Sequence, residues 1–169
     1  LKDQPFEWGQ EQNDSFLALK KVLTSDTVLT YARLDDQIDH PLIIELDACK
    51  NGFGAALKQS DKNGVEKVIC YQARATRSYE RTGSASALEV TCLIQALEWF
   101  NSYVSNSPGF IIRTDYIALK HLANLKTSRN SKLLRYALLI SQYRFKIEHL
   151  AGSKNTLCDS LSRMQCDNN

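Results

Sequence analysis

Two aspartates stand at the ends of apolar segments, where a charge is costly to bury. Asp47 follows the largely apolar run PLIIEL, and Asp115 closes a second such run, GFIIRTD. Apolar runs of this length are typical of central strands in a parallel sheet. If the two strands run parallel, both aspartates lie at the carboxyl edge of the sheet, where open α/β sheets bind ligands. An Asp after a strand is also a common turn or cap residue, and either residue alone fits that alternative.

A third acid, Glu89, lies in a helical segment that is otherwise apolar or uncharged. It is the only charged residue between Arg81 and Glu98. At helical spacing it shares one stripe with Leu93 and Phe100, and that stripe should face the sheet. Carboxylates are rarely buried unless they are paired or bind metal. A functional role is therefore favoured for Glu89.

The fourth acid, Asp159, lies in the segment CDSLSR near the start of a final helix, where an ordinary polar position is an equal alternative. Four carboxylates gathered without matching basic residues would repel each other unless cations were present. Oxygen ligands in that number suit Mg²⁺ or Mn²⁺, and two ions about 3.5–4 Å apart are the usual clamp for phosphoryl displacement. We predict a two-ion site whose metal ligands and catalytic acids are Asp47, Glu89, Asp115 and Asp159.

The order of elements predicts an α/β fold. Strands are expected over 41–46, 52–59, 66–74, 109–115 and 143–150, and helices over 11–24, 84–104, 116–124, 131–142 and 155–164. The segment SDKNGV carries the Asn-Gly signal of a tight hairpin between the second and third strands. A helical crossover makes the first and fourth strands parallel neighbours. The result is a five-stranded mixed sheet of order 3-2-1-4-5 with flanking helices.

Composition excludes several classes of protein. The chain has 169 residues and no stretch of about 18 apolar residues that could span a membrane. It begins without Met or a signal-peptide pattern, so we expect a fragment of a longer protein. Its five cysteines and three histidines are scattered, which disfavours a zinc site and favours reduced thiols.

Charge is unevenly distributed along the chain. Residues 1–50 carry five Lys/Arg against ten Asp/Glu, whereas residues 113–163 carry ten against three. A basic half on a nearly neutral chain suggests a polyanion partner, although a solvated basic face is an equal alternative. The residues predicted to track phosphates are Lys126, Arg129, Lys132 and Arg135.

The chain resembles the ribonuclease H domain of Ty3/gypsy-type (LTR) retroelement reverse transcriptases. The resemblance rests on an ordered set of segments with matching spacing: FEWGQEQNDSFLALKKVLTSDTVLTY, LDACKNGFGAAL, CYQARAT, LEVTCLIQALEWF, FIIRTDYIAL, LLRYALLISQYRFKIEHLAG and KNTLCDSLSR. It implies a ribonuclease H-like domain over residues 41–165, preceded by a helical connection segment over 1–40. The family's metal-binding acids fall on the four acids already singled out.

The resemblance also implies a function and partners. The expected activity is metal-dependent cleavage of the RNA strand of RNA–DNA hybrids with two Mg²⁺ or Mn²⁺ ions. The expected partners are the hybrid and an upstream polymerase domain of the same polyprotein, with a homodimer formed through the polymerase. The expected location is the cytoplasm, in virus-like particles, or the nucleus for a domesticated copy.

Several positions depart from the family pattern. Cys49 stands where the family commonly has Ser. The segment Tyr116, Ile117 and Ala118 stands where the family usually has His-Lys-Pro, and Ala87 stands where an acid is frequent. None of these departures removes a predicted metal ligand. They leave open a nuclease-dead or domesticated module that binds nucleic acid or braces a polymerase. A nuclease of the same superfamily that acts on DNA is a further alternative, against which the set of four acids argues.

Four further residues are candidates for catalysis or substrate contact. His149 lies ten residues before Asp159, the spacing at which cellular-type ribonucleases H carry a functional His, and we expect it to handle protons. An exposed histidine at a strand end is the alternative. Asn51 and Asn155 are expected to contact the 2′-hydroxyl of RNA, with turn or cap roles equally open. By family resemblance only, Arg74 is expected to contact the substrate backbone.

Overall fold

The computed structural model describes residues 7–23, 29–116 and 131–163. Its elements in chain order are α1 (Gln10–Leu23), β1 (Leu42–Ala48), β2 (Gly52–Ser60), β3 (Glu66–Ala75), α2 (Ala85–Trp99), α3 (Asn101–Val104), β4 (Phe110–Thr114), α4 (Ser131–Ile140), β5 (Phe145–His149) and α5 (Thr156–Arg163). A 3-10 turn over Gly152–Lys154 precedes α5. The helix predicted over 116–124 lies, from residue 117 on, outside the described residues.

The five strands form one mixed sheet of order β3-β2-β1-β4-β5, which confirms the predicted topology. The β1–β2 and β2–β3 pairs are antiparallel, while β1–β4 and β4–β5 are parallel. The connection from β1 to β4 therefore crosses over, and the meander of β2 and β3 grows on the other side of β1. The direction of the chain changes between β1 and β4, the place where such sheets bind ligands.

The hydrophobic core lies between one face of the sheet and α2. On β1, Leu42, Ile44 and Leu46 are fully buried and share one face of the sheet, because alternate residues of a strand point the same way. On α2, Leu93 and Ala96 are buried against the same cluster. Burial of each large aliphatic side chain contributes about 1.5–3 kcal/mol to stability, so this face holds α2 firmly against the strand ends.

The predicted hairpin between β2 and β3 is confirmed. The Asp61 carboxylate accepts hydrogen bonds from the backbone N–H groups of Asn63 and Val65, at 2.9 and 3.0 Å. Gly64 has a φ of +77°, a conformation that costs a residue with a Cβ atom free energy and costs glycine little. The Asn-Gly pair therefore satisfies the backbone requirement of this turn.

The single helix predicted over 84–104 is divided in two. Ser84 caps α2, and its side chain accepts a hydrogen bond from the N–H of Ala87. The helix ends at Trp99 because Phe100 has non-helical dihedral angles (φ −101°, ψ 12°). Phe100 is fully buried, and the short helix α3 continues from Asn101. The alanine- and leucine-rich composition gives no sign of this break.

The segment before β1 is attached to the sheet. The amide of Gln59 donates hydrogen bonds to the carbonyls of Arg33 and His40 at 3.0 and 2.7 Å, and it accepts one from the N–H of Arg33 at 2.8 Å. Leu29 also forms an isolated bridge with Val68 on β3. Residues 29–40 are therefore joined to β2 and β3, while the predicted domain division after residue 40 stays a prediction.

The lead-in helix is present as α1, one residue earlier at each end than predicted. Its apolar residues Phe16, Leu17 and Leu19 are more than half exposed. None of the helices within the described ranges is long and apolar enough to cross a membrane. The four cysteines that the structure describes are free thiols, and Cys166 lies outside the described residues.

Candidate active site

The two aspartates of the strand ends lie together, as predicted. Parallel pairing aligns Glu45 of β1 with Arg113 of β4, so Asp47 and Asp115 occupy corresponding positions two residues further on. The Asp115 carboxylate lies near the loop before α5, because a Cβ atom on Gly152 would stand 3.6 Å from Asp115 Oδ2. The negative charge of Asp115 contributes to raising the pKa of Asp47. Two like charges therefore share this edge of the sheet.

Glu89 is brought to the same edge by α2. Its stripe faces the sheet as predicted, and only 9% of the residue is exposed. The backbone N–H of Ala48 donates a hydrogen bond to the carboxylate, while Oε2 is buried and has no hydrogen-bond partner in the part of the chain that the structure describes. Burial, followed by the charges of Asp115 and Asp47, raises the pKa of Glu89 to about 8. Within residues 7–23, 29–116 and 131–163, no basic side chain forms an ion pair with this carboxylate.

Glu45, another buried acid of the sheet region, has the basic partners that Glu89 does not have among the described residues. Glu45 is also buried, but Lys58 forms an ion pair with it, and Arg113 Nη1 lies 3.5 Å from Oε1. Arg113 in turn pairs with Glu66 at 2.7 Å and Glu148 at 3.2 Å, so each of the five strands contributes one charge to the network. The basic side chains of the sheet thus neutralise the buried carboxylate of Glu45. Glu89 receives no such partner among the described residues.

The fourth acid, Asp159, is carried by α5, which packs closely on β2. A Cβ atom on Gly52 would approach the carbonyl oxygen of Ser162 to 2.5 Å, and one on Gly54 would approach the carbonyl oxygen of Cys158 to 2.6 Å. Only glycine at these two positions leaves room for the helix backbone. The GFG sequence of β2 therefore sets the height of Asp159 above the sheet.

Asp47 and Asp159 have partners on the last turn of α5. The hydroxyl of Ser162 donates a hydrogen bond to Asp47 Oδ2 at 2.6 Å. Arg163 Nε donates to Asp159 Oδ1, also at 2.6 Å. Burial raises the pKa of Asp47 most, the Ser162 bond opposes that rise, and Asp159 and Asp115 add to it. Electrostatic coupling thus links Asp47 to both of the other aspartates.

The residues present suit hard divalent cations. Burial and the charges of neighbouring carboxylates raise the pKa values of Asp47 and Glu89, one buried oxygen of Glu89 has no donor among the described residues, and all the groups offer oxygen. Within residues 7–23, 29–116 and 131–163, no three His, Cys, Asp or Glu side chains are already arranged around one point as metal ligands are. The fold brings the four carboxylates to one edge without a finished coordination sphere.

The two asparagines have different environments. Asn155 is 1% exposed, and its Nδ2 donates a hydrogen bond to the carbonyl of Leu46 at 2.9 Å. Its Oδ1 is buried without a hydrogen-bond partner among the described residues, and its predicted contact with RNA stays a prediction. By bonding the residue before Asp47, Asn155 ties the start of α5 to the end of β1. Asn51 is exposed in the β1–β2 turn, and its substrate contact stays a prediction.

His149 ends β5 and pairs with Thr114, the residue before Asp115. Its side chain is exposed. The N–H of Leu150 donates to the carbonyl of Thr114 at 2.9 Å, which holds this strand end beside β4. The position is on the edge that carries the acids, and the proton-handling role stays a prediction.

Arg74 has its partners inside the protein. Its guanidinium binds the Glu80 carboxylate through two hydrogen bonds of 2.8 Å, donates to Gln95 Oε1 at 2.8 Å, and lies 4.6 Å from the centre of the Phe53 ring. These contacts connect β3 to β2, to the turn before α2 and to the C-terminal half of α2. The predicted contact of Arg74 with substrate is not tested and stays a prediction.

The predicted basic stretch is described only in part. Lys126 and Arg129 lie outside the described residues, and the side chain of Lys132 is not described. Arg135 is exposed on α4, with its guanidinium 6.0 Å from the centre of the Tyr136 ring. Phosphate contact by these four residues stays a prediction.

Two residues that contact the acids were missed by the sequence analysis. Ser162 and Arg163 follow Asp159 by three and four positions, the spacing at which residues share one helix face. That spacing is the signal that could have indicated them. Contact between Ser162 and Asp47 had no such signal, because the two residues are 115 positions apart.

The chain is similar in sequence to known proteins. The model of the RNase H-like domain found in reverse transcriptase matches residues 37–143. The chain is 32% identical over 163 residues to the retrovirus-related Pol polyprotein from transposon 412 of Drosophila melanogaster, covering 96% of the chain and 13% of that polyprotein. The chain thus spans a small part of this relative's length.

Two solved structures show the same fold. The foamy viral protease-reverse transcriptase, in complex with double-stranded DNA, superposes with a TM-score of 0.61 at 13% identity, over 85% of this chain and 26% of that one. LC11-RNase H1, in complex with an RNA/DNA hybrid, superposes with a TM-score of 0.52 at 17% identity, over 71% of this chain and 92% of that one. At these identities the likeness concerns the fold.

Proposed function

We propose that this chain, which belongs to the family of RNase H-like domains found in reverse transcriptase, hydrolyses the RNA strand of RNA–DNA hybrids. The observation that carries the proposal is the buried Glu89 carboxylate, which faces Asp47 and Asp115 with one oxygen unpartnered. The fold pairs Glu45 with basic side chains and leaves Glu89 without one among the described residues, and this difference supports a cation site at that edge.

The four acids would hold Mg²⁺ or Mn²⁺, in two positions. When bound, such ions lower the pKa of water and stabilise the charge of a transferring phosphoryl group. The carboxylates hold the ions, and the rigid strand ends that carry Asp47 and Asp115 orient the scissile bond. The exposed His149 would accept or release a proton beside them. Asn51, at the turn after β1, and Asn155 are the candidates for contact with the 2′-hydroxyl.

We further propose that the chain works as part of a longer reverse transcriptase. It covers 13% of the transposon 412 polyprotein and 26% of the foamy viral protein, so most of each relative lies outside the matched region. A polymerase in the same polyprotein, and a homodimer formed through it, are proposed partners. Assignment to the Ty3/gypsy subtype also remains a proposal.

The test is incubation of the chain with labelled RNA–DNA hybrid, duplex DNA and duplex RNA, each with Mg²⁺ and with EDTA. We expect cleavage of the RNA strand of the hybrid with Mg²⁺ only. Binding of hybrid without cleavage would support the nuclease-dead alternative instead. Cleavage of duplex DNA would place the chain among the DNA nucleases of the superfamily.

Removing basic residues of the predicted phosphate-tracking stretch should weaken hybrid binding. Each phosphate contact releases counterions, so loss of Lys126, Arg129, Lys132 or Arg135 should reduce the log–log salt slope of affinity by about one unit. Affinity is measured over a series of salt concentrations. The control is Lys62→Ala, an exposed residue in the β2–β3 turn, at the opposite end of β2 from the acids. An unchanged slope after all four replacements would make the stretch a solvated face.

His149→Ala should slow hybrid cleavage by about ten- to a hundredfold and leave hybrid affinity nearly intact. The reason is that a proton-handling group acts on turnover and contributes little to binding. Single-turnover rates measured from about pH 6 to pH 9 check the expectation. His40→Ala is the matched control, because His40 precedes β1 at the end opposite the acids. Equal rates for His149→Ala and the parent chain would leave His149 an exposed strand-end residue.

A further inference from the structure

We infer that the hydroxyl of Ser162 positions the Asp47 carboxylate for cation binding. The inference rests on the proposed function, because it concerns the acids that would hold the ions. It adds a residue to that site which lies outside the four acids and would not touch the metal itself.

The contact is short and part-buried. Ser162 is fully buried, and its Oγ donates to Asp47 Oδ2 at 2.6 Å. Among the described residues, none donates a hydrogen bond to Asp47 Oδ1. One oxygen of Asp47 is thereby held by the protein while the other stays available. Fixing the rotation of a ligating carboxylate in this way is the role that partners of metal ligands commonly play.

The position of Ser162 is set by its backbone and not by its hydroxyl. The thiol of Cys49 donates to the Ser162 carbonyl oxygen at 3.0 Å. Gly52 and Gly54 give the backbone of this turn its close approach to β2. Removal of the hydroxyl leaves all of these contacts in place. The serine side chain can therefore be tested apart from the packing of α5.

The hydroxyl also has a second acceptor. The carbonyl oxygen of Asp159 lies 3.0 Å from Ser162 Oγ, and the hydroxyl has one proton to donate. If the bond to Asp47 Oδ2 is broken, the proton can turn to the Asp159 carbonyl. A buried donor is then not left without a partner, which would cost about 1–3 kcal/mol. The Ser162 hydroxyl thus has two acceptors, the side chain of Asp47 and the backbone carbonyl of Asp159.

The test measures Mn²⁺ binding to the metal-free chain by titration calorimetry, without nucleic acid. Ser162→Ala should weaken Mn²⁺ binding by about tenfold, since loss of a partner of a metal ligand typically costs at least that much. The matched control is Ser160→Ala, whose hydroxyl is exposed on the same helix and bonds the carbonyl of Thr156. Ser162→Thr, which keeps the hydroxyl, should restore binding to that of the parent chain.

Affinity of Ser162→Ala within twofold of the control overturns the inference. So does an equal loss in Ser160→Ala, because a general weakening of α5 would then explain it. If Ser162→Ala fails to fold, Ser162→Cys replaces it, since a thiol of similar size donates weakly, and the same loss is expected. Failure of the parent chain to bind Mn²⁺ counts against the proposed metal site. If Ser162→Ala binds Mn²⁺ as tightly as the parent chain does, the result counts against the role of Ser162 and not against the proposed metal site.

Discussion

Asp47→Asn should reduce hybrid cleavage by at least about a thousandfold while the chain remains folded. The reason is that several kcal/mol of transition-state stabilisation depend on the ions that this carboxylate would hold. The substitution keeps the shape of the side chain and removes its charge. Asp47 is coupled to Asp115 and Asp159, so loss of its charge relieves repulsion in the metal-free chain. Thermal unfolding in EDTA should therefore occur at an equal or higher temperature in the variant.

Cleavage of labelled hybrid under single-turnover conditions measures this effect, and Asp115→Asn should behave in the same way. The control is Asp39→Asn, an exposed aspartate before β1, at the end of the strand opposite the acids. Its activity should equal that of the parent chain. Full activity in Asp47→Asn would contradict the two-ion site. Loss of activity together with loss of the far-ultraviolet circular dichroism signal would show instead that Asp47 is needed for folding.

The sheet and its acids could be predicted because each depends on local pattern. Apolar runs and an Asn-Gly turn indicate strands, and the crossover rule then determines that β1 and β4 are parallel neighbours. Two acids at the carboxyl ends of such neighbouring parallel strands must lie close together. Glu89 could be placed because the spacing of a helix determines its face, and the structure buries that face against the sheet.

What could not be predicted depends on contacts between distant parts of the chain. The burial of Asn155 follows from how α5 lies on β1 and β2, for which the sequence carries no periodic signal. The bond from Ser162 to Asp47 joins the last helix to the first strand of the sheet. Phe100 ends α2 although its neighbours favour a helix, because tertiary packing overrides propensity. Such features are decided by packing geometry.

The pKa of Glu89 predicts a second large effect, on the pH dependence of stability. In the folded chain this pKa is raised to about 8 from an ordinary value of 4.5, chiefly by burial. Between these two values the folded state holds a proton that the unfolded state has lost. Stability contributed by this group is therefore fully present below the unfolded pKa and is lost as the pH rises through the folded pKa. Without metal, ionised Glu89 destabilises the fold.

Glu89→Gln, which mimics the protonated acid, should therefore match the parent chain in stability near pH 4 and exceed it increasingly toward about pH 9, by as much as a few kcal/mol. Denaturant unfolding in EDTA across this range measures the difference between the two chains. Asp47 has a raised pKa as well, but it is present in both chains, so the comparison isolates Glu89. Glu98→Gln is the matched control, because Glu98 is exposed on the same helix, and its substitution should leave the pH profile of the parent unchanged.

The same Glu89→Gln chain should be inactive on hybrid, so that stability and activity change in opposite directions, as expected of an acid kept in place for a cation. Parallel pH profiles for Glu89→Gln and the parent chain would show that the carboxylate is already neutralised by the protein, and the need for a cation at this position would disappear.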